Sequence, residues 1–179
     1  MSLYRYFENK EALLDGMVDF VFAKIYVPVV GGGWRNEMHS NAHSLRSVLL
    51  EHRWALSLIE TRTNPGPATL GHHNAVVGTL SEAGFTMELV AKAFAVLDAY
   101  TLGFVLQEIT LPFEQDQENS ETVVEVLGNT EVEGPYPHLM ALATQHLAQA
   151  GYDFGSQFDF GLNLLLDGLA GKQISGPQS

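Results

Sequence analysis

The chain has 179 residues, of which 46% are hydrophobic and 17% charged, enough apolar material for one domain with a sizeable core. It contains no cysteine, which excludes disulfides and thiolate metal sites. The net charge of −12 is unevenly placed: residues 1–62 balance seven bases against seven acids, while residues 63–179 set Lys92 and Lys172 against fourteen acids and carry the whole excess. Nucleic-acid affinity rests on Lys and Arg neutralising phosphates, so any DNA contact falls to the N-terminal end. No apolar run approaches the roughly 20 residues of a membrane span and no signal-peptide pattern opens the chain, so a cytoplasmic protein is expected.

Aromatic and apolar residues crowd the first turn: Leu3, Tyr4, Tyr6, Phe7. A helix is predicted over 9–27, with Asn9 as cap, Glu11 in the first turn and a stripe of Leu14, Val18, Val21 and Ile25, ending at Pro28 and Gly31–Gly33. A second helix covers 35–51, a short one 52–62, closed by "TNPGP", and another 68–83, stopped by Gly84. Thr86 caps the next helix and Phe85 can staple onto Val90; this helix runs to 111, a length of about 39 Å. Residues 112–135 hold seven acids and no base, a loop with room for a short helix at 119–127. Helices at 136–150 and 155–170 finish an all-α fold, and 172–179 form a tail.

The last helix carries Phe158, Leu162, Leu165 and Leu169 on one face and Phe160, Leu164 and Leu166 on another, so it needs cover on more than one side. Gly161 and Gly168 allow close helix approach. Two central core helices of a monomer would explain this, but a homodimer is preferred, with helices 86–111 and 155–170 as the interface. Leu102, Phe104, Val105, Phe158, Gly161, Leu162, Leu165 and Leu169 are its residues.

The segment "SLYRYFENKEALL" resembles the end of the helix-turn-helix of TetR-family transcriptional regulators. "NAHSLRSVLLEHR", "ETR", "SEAGFTMELVAKAFAVLDAYTLGFVLQE" and "FDFGLNLLLDGL" resemble the C-terminal domain of its tetracycline-repressor-like branch, in order and spacing. The resemblance implies a remnant of the DNA-binding motif at 1–8, a ligand-binding and dimerisation domain at 9–171, and the helices that read bases missing. Tyr4, Tyr6 and Lys10 are the phosphate contacts it leaves, and operator DNA is a partner only of a full-length protein. The function implied is effector sensing by a repressor; a stand-alone small-molecule carrier is the alternative. No signature of an enzyme is present.

Met38, Asn41, Leu45 and Val48 share one helix face, apolar except for Asn41, whose amide needs a buried partner. The resemblance implies that Asn41 hydrogen-bonds the effector, and this is favoured over simple core satisfaction. His39 and His43 lie about 200° from Asn41 and read as a surface pair. His73, Val76, Val77 and Leu80 could point inward. In the tetracycline-repressor branch a metal-binding His and a helping acid occupy the positions of Leu58 and Gln107, and a drug-contacting His that of Tyr26. Leu58 cannot ligate and neutral Gln107 suits a hard cation poorly, so neither a metal nor a cofactor is expected. The ligand-binding set is then Tyr26, Asn41, Leu45, Trp54, Leu58, His73, Val76, Val77, Phe94 and Gln107, around a small apolar or aromatic effector.

Overall fold

A computed structural model describes residues 9–59, 61–110, 136–147 and 152–174, and among these every regular element is helical. The elements are α1 (Lys10–Phe22), α2 (Trp34–Glu51), a 3₁₀ turn (Arg53–Ala55) leading into α3 (Leu56–Ile59), α4 (Pro67–Glu82), α5 (Met87–Thr110), α6 (Pro137–Leu142) and α7 (Gln157–Ile174). The chain divides into two compact units, one formed by residues 1–109 and 161–179, the other by residues 110–160. In the second unit α6 passes into a π-helical stretch, Ala143–Leu147, in which Ala143 is buried. The predicted loop at 112–135, its possible helix at 119–127, the phosphate contacts Tyr4 and Tyr6, and residues 175–179 lie outside the described residues.

Two helix starts follow from local chemistry. The Asn9 side chain accepts from Ala12 N at 2.8 Å, and Thr86 Oγ1 accepts from Leu89 N at 3.3 Å, each satisfying an otherwise orphaned amide. Gly84, between α4 and α5, has φ +88°, where a Cβ would be strained. α4 has no side-chain cap of its own, because Gly66 precedes it. Asp19 of α1 supplies one instead: its carboxylate accepts from Thr69 N at 2.8 Å, Thr69 Oγ1 at 3.0 Å and Ala68 N at 3.3 Å. A Cβ on Gly66 would overlap that carboxylate.

α1 stops at Phe22, five residues short of the predicted end. The reason is competition for the backbone of Tyr26: Ser44 Oγ accepts its N–H at 2.8 Å and Asn41 Nδ2 donates to its carbonyl at 2.9 Å. Once α2 holds both groups, residues 24–30 run as a strap. Glu37 fixes the strap's far end, accepting from Tyr26 OH at 2.7 Å and Val29 N at 2.8 Å. Ile25 still buries itself, so its place in the apolar stripe survives the loss of helix.

The core of the first unit joins Val18, Val21, Phe22 and Ile25 to Leu45, Val48 and Leu49 of α2, Ala55 and Leu56, and Leu102 and Val105 of α5. Each fully buried Leu or Val there contributes about 1.5–3 kcal/mol. α5 is long and apolar enough to cross a membrane by length and composition, contrary to the sequence expectation. It is nonetheless a core helix, burying Val90, Ala93, Leu97, Leu102 and Val105, with Thr101 and an ionised pair beside them. That pair is Arg46–Glu108, in which Arg46 Nε and Nη2 bond the two carboxylate oxygens of a Glu108 side chain only 7% exposed.

α7 runs to Ile174, so Lys172–Ile174 belong to the helix rather than the tail, and Gln173 Nε2 donates to the Ala83 carbonyl. Several residues assigned to the dimer interface are consumed inside the protomer. Leu102 and Val105 belong to the core, and Phe158, Leu162 and Leu169 are buried. Gly161 lies so close to the Tyr100 ring that a Cβ would overlap it. Phe104 and Leu165 are half-buried, and the Arg46 guanidinium sits 5.7 Å from the Phe104 ring centroid. On α7 the large apolar side chains left outward are Leu164, 57% exposed, and Phe160, and on α5 Leu106 is outward as well.

Candidate functional site

α1 turns Asp15, Val18 and Phe22 toward a cavity of about 340 Å³. Leu45 of α2, Ile59 at the end of α3, and Asp98 and Leu102 of α5 also line it, and the 62–66 loop and α4 complete the wall with Arg62, Thr69 and His73. Val18, Phe22, Leu45 and Leu102 belong to the core, so the floor is apolar. The rim is polar. Arg62 pairs with Glu11 and, at 3.7 Å, with Asp15, two carboxylates one turn apart on α1. The hydrogen bond from Arg62, then its charge, lower the Glu11 pKa. Arg62 Nε is buried without a hydrogen-bond partner. This is a chamber that can hold a small molecule by its apolar body and sort it by a few polar groups.

His73 stands at the boundary of this chamber. Its ring meets Phe22 edge-on at 5.4 Å between centroids and Phe94 edge-on at 5.1 Å. Burial lowers its pKa, so it is neutral at pH 7. On its other side it lines an apolar groove of about 490 Å³ between α4 and α5, together with Val77, Phe94 and Met87.

Asn41 points inward as the sequence requires, but it meets protein. Nδ2 donates to the Tyr26 carbonyl and lies 2.6 Å from His72 Nε2. An amide nitrogen only donates, so His72 Nε2 accepts and the imidazole proton sits on Nδ1, which has no partner. Burial, followed by the neighbouring His73, pushes the His72 pKa down to about 4, which keeps the ring neutral and the hydrogen bond intact. Asn41 lines neither cavity, so the structure gives its amide a structural task.

The other expected ligand contacts divide. Leu45 and His73 line the inner chamber, and His73, Val77 and Phe94 line the groove. Val76 is buried in α4, and Leu58 packs against the core. Tyr26 and Trp54 are exposed large side chains, and Gln107 faces outward on α5. These five line neither space; for Tyr26, Trp54 and Leu58 the reason is that α1 ends before Tyr26 and the segment at 52–62 breaks into a 3₁₀ turn and one short helical turn. Lys10 is exposed at the first position of α1. Arg62, Thr69, Asp15 and Phe22 were missed. For Asp15 and Phe22 the visible signal is their i, i+7 spacing, with Asp19 between them, on the inner side of α1; Arg62 and Thr69 carry none.

Residues 28–173 match the family profile of the tetracyclin repressor-like C-terminal domain. An HTH-type transcriptional regulator of Saccharopolyspora erythraea is 33% identical over 170 residues, which are 94% of this chain and 70% of that protein. The tetracycline repressor protein class A from transposon 1721 of Escherichia coli is 31% identical over 176 residues, 97% of this chain and 76% of that protein. The crystal structure of a possible TetR family transcriptional regulator from Streptomyces coelicolor superposes with a TM-score of 0.71 at 33% identity, covering 94% of this chain and 82% of that one.

Proposed function

The chain belongs to the TetR family of transcriptional regulators, and on that premise we propose that the chamber between α1, α4, α5 and the 62–66 loop is its effector site. The chain is the effector-binding and dimerisation part of a regulator and not an enzyme; its relatives are named regulators and repressors, which favours this over a free-standing carrier. The observation that carries the site is the pairing of an apolar floor with a polar rim tied to α1. α1 follows directly on residues 1–8, the segment that resembles the end of a helix-turn-helix. A small apolar or aromatic effector that displaced Arg62 from Glu11 and Asp15 would act on that helix. Operator binding and a cytoplasmic setting belong to the full-length regulator, and Lys10, with Tyr4 and Tyr6, suits phosphate contact.

The homodimer reading is kept, with the interface moved to the outward side of α5 and α7 around Leu106 and Leu164, flanked by Phe104 and Leu165. Leu164→Glu should lower the mass seen by light scattering toward the 19.6 kDa chain, while a wild type that already scatters as one chain contradicts the reading. For the chamber, compounds that raise the melting temperature should lose affinity in Leu45→Phe, which thickens its wall, and keep it in Trp54→Ala. Binding should be the same with magnesium or with chelator, because the positions that the resemblance matches to the metal ligands hold Leu58 and Gln107, and neither lines the chamber. Compounds that follow Trp54 and ignore Leu45 overturn the assignment.

A further inference from the structure

Arg35, His39 and His43 follow one another at four-residue steps, one ridge along α2. Arg35 ties that ridge to α7: its Nη2 donates to Asn163 Oδ1 at 3.1 Å and its Nη1 pairs with Asp167 at 2.8 Å. Asp159 stands one helical turn before Asn163 on the same face of α7. The two histidines are the next steps of the α2 ridge after Arg35. Among the described residues, His39, His43 and Asp159 are the one group of three whose ligand atoms all lie within 4.8 Å of one another. The two rings are half-buried, with centroids 4.5 Å apart and planes inclined at 38°, and Asp159 is exposed, which leaves the cluster open to an ion from solvent. The sequence reads the histidines as a surface pair because no third ligand stands near them in the chain. The fold brings the third from α7.

Two imidazole nitrogens and a carboxylate oxygen are the donors of a borderline divalent ion. Zinc takes them at about 2.0–2.2 Å, which sets ligand atoms about 3.3 Å apart at the corners of a tetrahedron. Closing from within 4.8 Å to that spacing is a matter of side-chain torsions. Magnesium and calcium favour shells of oxygen, so two nitrogens tell against both. Arg35 on the same ridge adds little repulsion, because Asp167 matches its charge.

We propose that His39 and His43 of α2 and Asp159 of α7 form a zinc site, with water in the fourth position. The site is separate from the effector chamber: both histidines lie about 200° around α2 from the inward Asn41, and none of the three ligands lines the chamber. The expectation of no metal concerned Leu58 and Gln107 and does not bear on this cluster. The ion ties the first turn of α7 to the middle of α2. That turn also carries the outward Phe160, so zinc fixes where the exposed apolar side of α7 begins.

The test titrates zinc into the untagged, chelator-stripped chain by calorimetry, in millimolar magnesium so that carboxylate-only sites are filled. One zinc per chain should bind. Asp159→Asn, His39→Gln and His43→Gln should each weaken it by about a hundredfold, since even outer-shell partners of a metal site account for 10–100-fold. His52→Ala should bind as the wild type does. Zinc at about a hundred times its dissociation constant should raise the melting temperature of the wild type by about 5–10 °C and leave that of Asp159→Asn unmoved. No zinc binding, or binding of wild-type strength in all three ligand variants, overturns the proposal. Loss in the histidine variants with Asp159→Asn unaffected also overturns it, by leaving a two-histidine chelate that does not involve α7. Displacement of zinc by magnesium overturns the choice of ion.

Discussion

Replacing Asn41 by alanine separates two roles for one buried amide. In the structure its Nδ2 donates to the Tyr26 carbonyl and to His72 Nε2, and the residue is 8% exposed. The truncation leaves two acceptors without their donor, and each unsatisfied buried acceptor costs about 1–3 kcal/mol. The two together predict a loss of about 2–6 kcal/mol, the upper part applying if water cannot reach His72, which is 4% exposed. In urea, with an m-value of about 2 kcal/mol/M, the midpoint should fall by about 1–3 M. The strap at 24–30 should also become the first segment to exchange its amides, since Tyr26 loses one of its two backbone ties to α2. Effector affinity of the folded fraction should change little. A variant that unfolds at the wild-type urea concentration but binds effector ten times more weakly would refute this and return Asn41 to the ligand.

The remaining predictions concern the same frame. His72 binds its proton at about 4 in the folded chain and near 6.5 in the unfolded one. Only the unfolded chain is therefore protonated between those values, so stability drains as pH falls from 6.5 to about 4 and this histidine takes no more below that. The interval is worth about 3 kcal/mol; the pH slope of unfolding should be shallower by that amount in His72→Gln, and an unchanged slope contradicts it. Arg46→Met leaves Glu108 buried and uncompensated and should cost about 3–5 kcal/mol, most of it recovered when Glu108→Leu is added. Additive losses in that cycle, read by urea unfolding, would mean the pair is not coupled. Asp19→Ala should cost about 1–2 kcal/mol by uncapping α4. Gly66→Ala should be destabilising alone and neutral in the Asp19→Ala background, where the overlapping carboxylate is gone; equal effects in both backgrounds would contradict the cap.

The helices were legible because their signals are local. Asn9 and Thr86 cap where the sequence places them, and Gly84 takes the left-handed turn that only its missing side chain makes easy. Of the stripe Leu14, Val18, Val21 and Ile25, the two valines are buried in α1 and Leu14 is half-buried, while Ile25 is buried from the strap beyond the helix. The site was less legible because it depends on contacts distant in sequence. Nothing in "VFAKIYV" announces that Ser44 and Asn41 will take the backbone of Tyr26 and end the helix early. Asn41 was correctly read as inward, yet helical periodicity says which face a residue is on and not what it meets there, and His72 comes from another helix. The last helix misled for a related reason: its apolar residues cover most of the circumference, so spacing could not separate the buried Leu162 and Leu169 from the outward Leu164. Arg62 stayed hidden because its partners, Glu11 and Asp15, lie some fifty residues away.

The central claim, that the chamber bounded by α1, α4 and α5 receives the effector, is tested most directly by a crystal structure of the chain with a compound selected for raising its melting temperature. The account predicts density inside the chamber, in contact with Leu45, Thr69 and His73, with the Arg62 guanidinium drawn away from Glu11 and Asp15. Density seated outside it, against Tyr26, Trp54 or Gln107, with the chamber collapsed or empty and the Arg62 pairs unchanged, would contradict it.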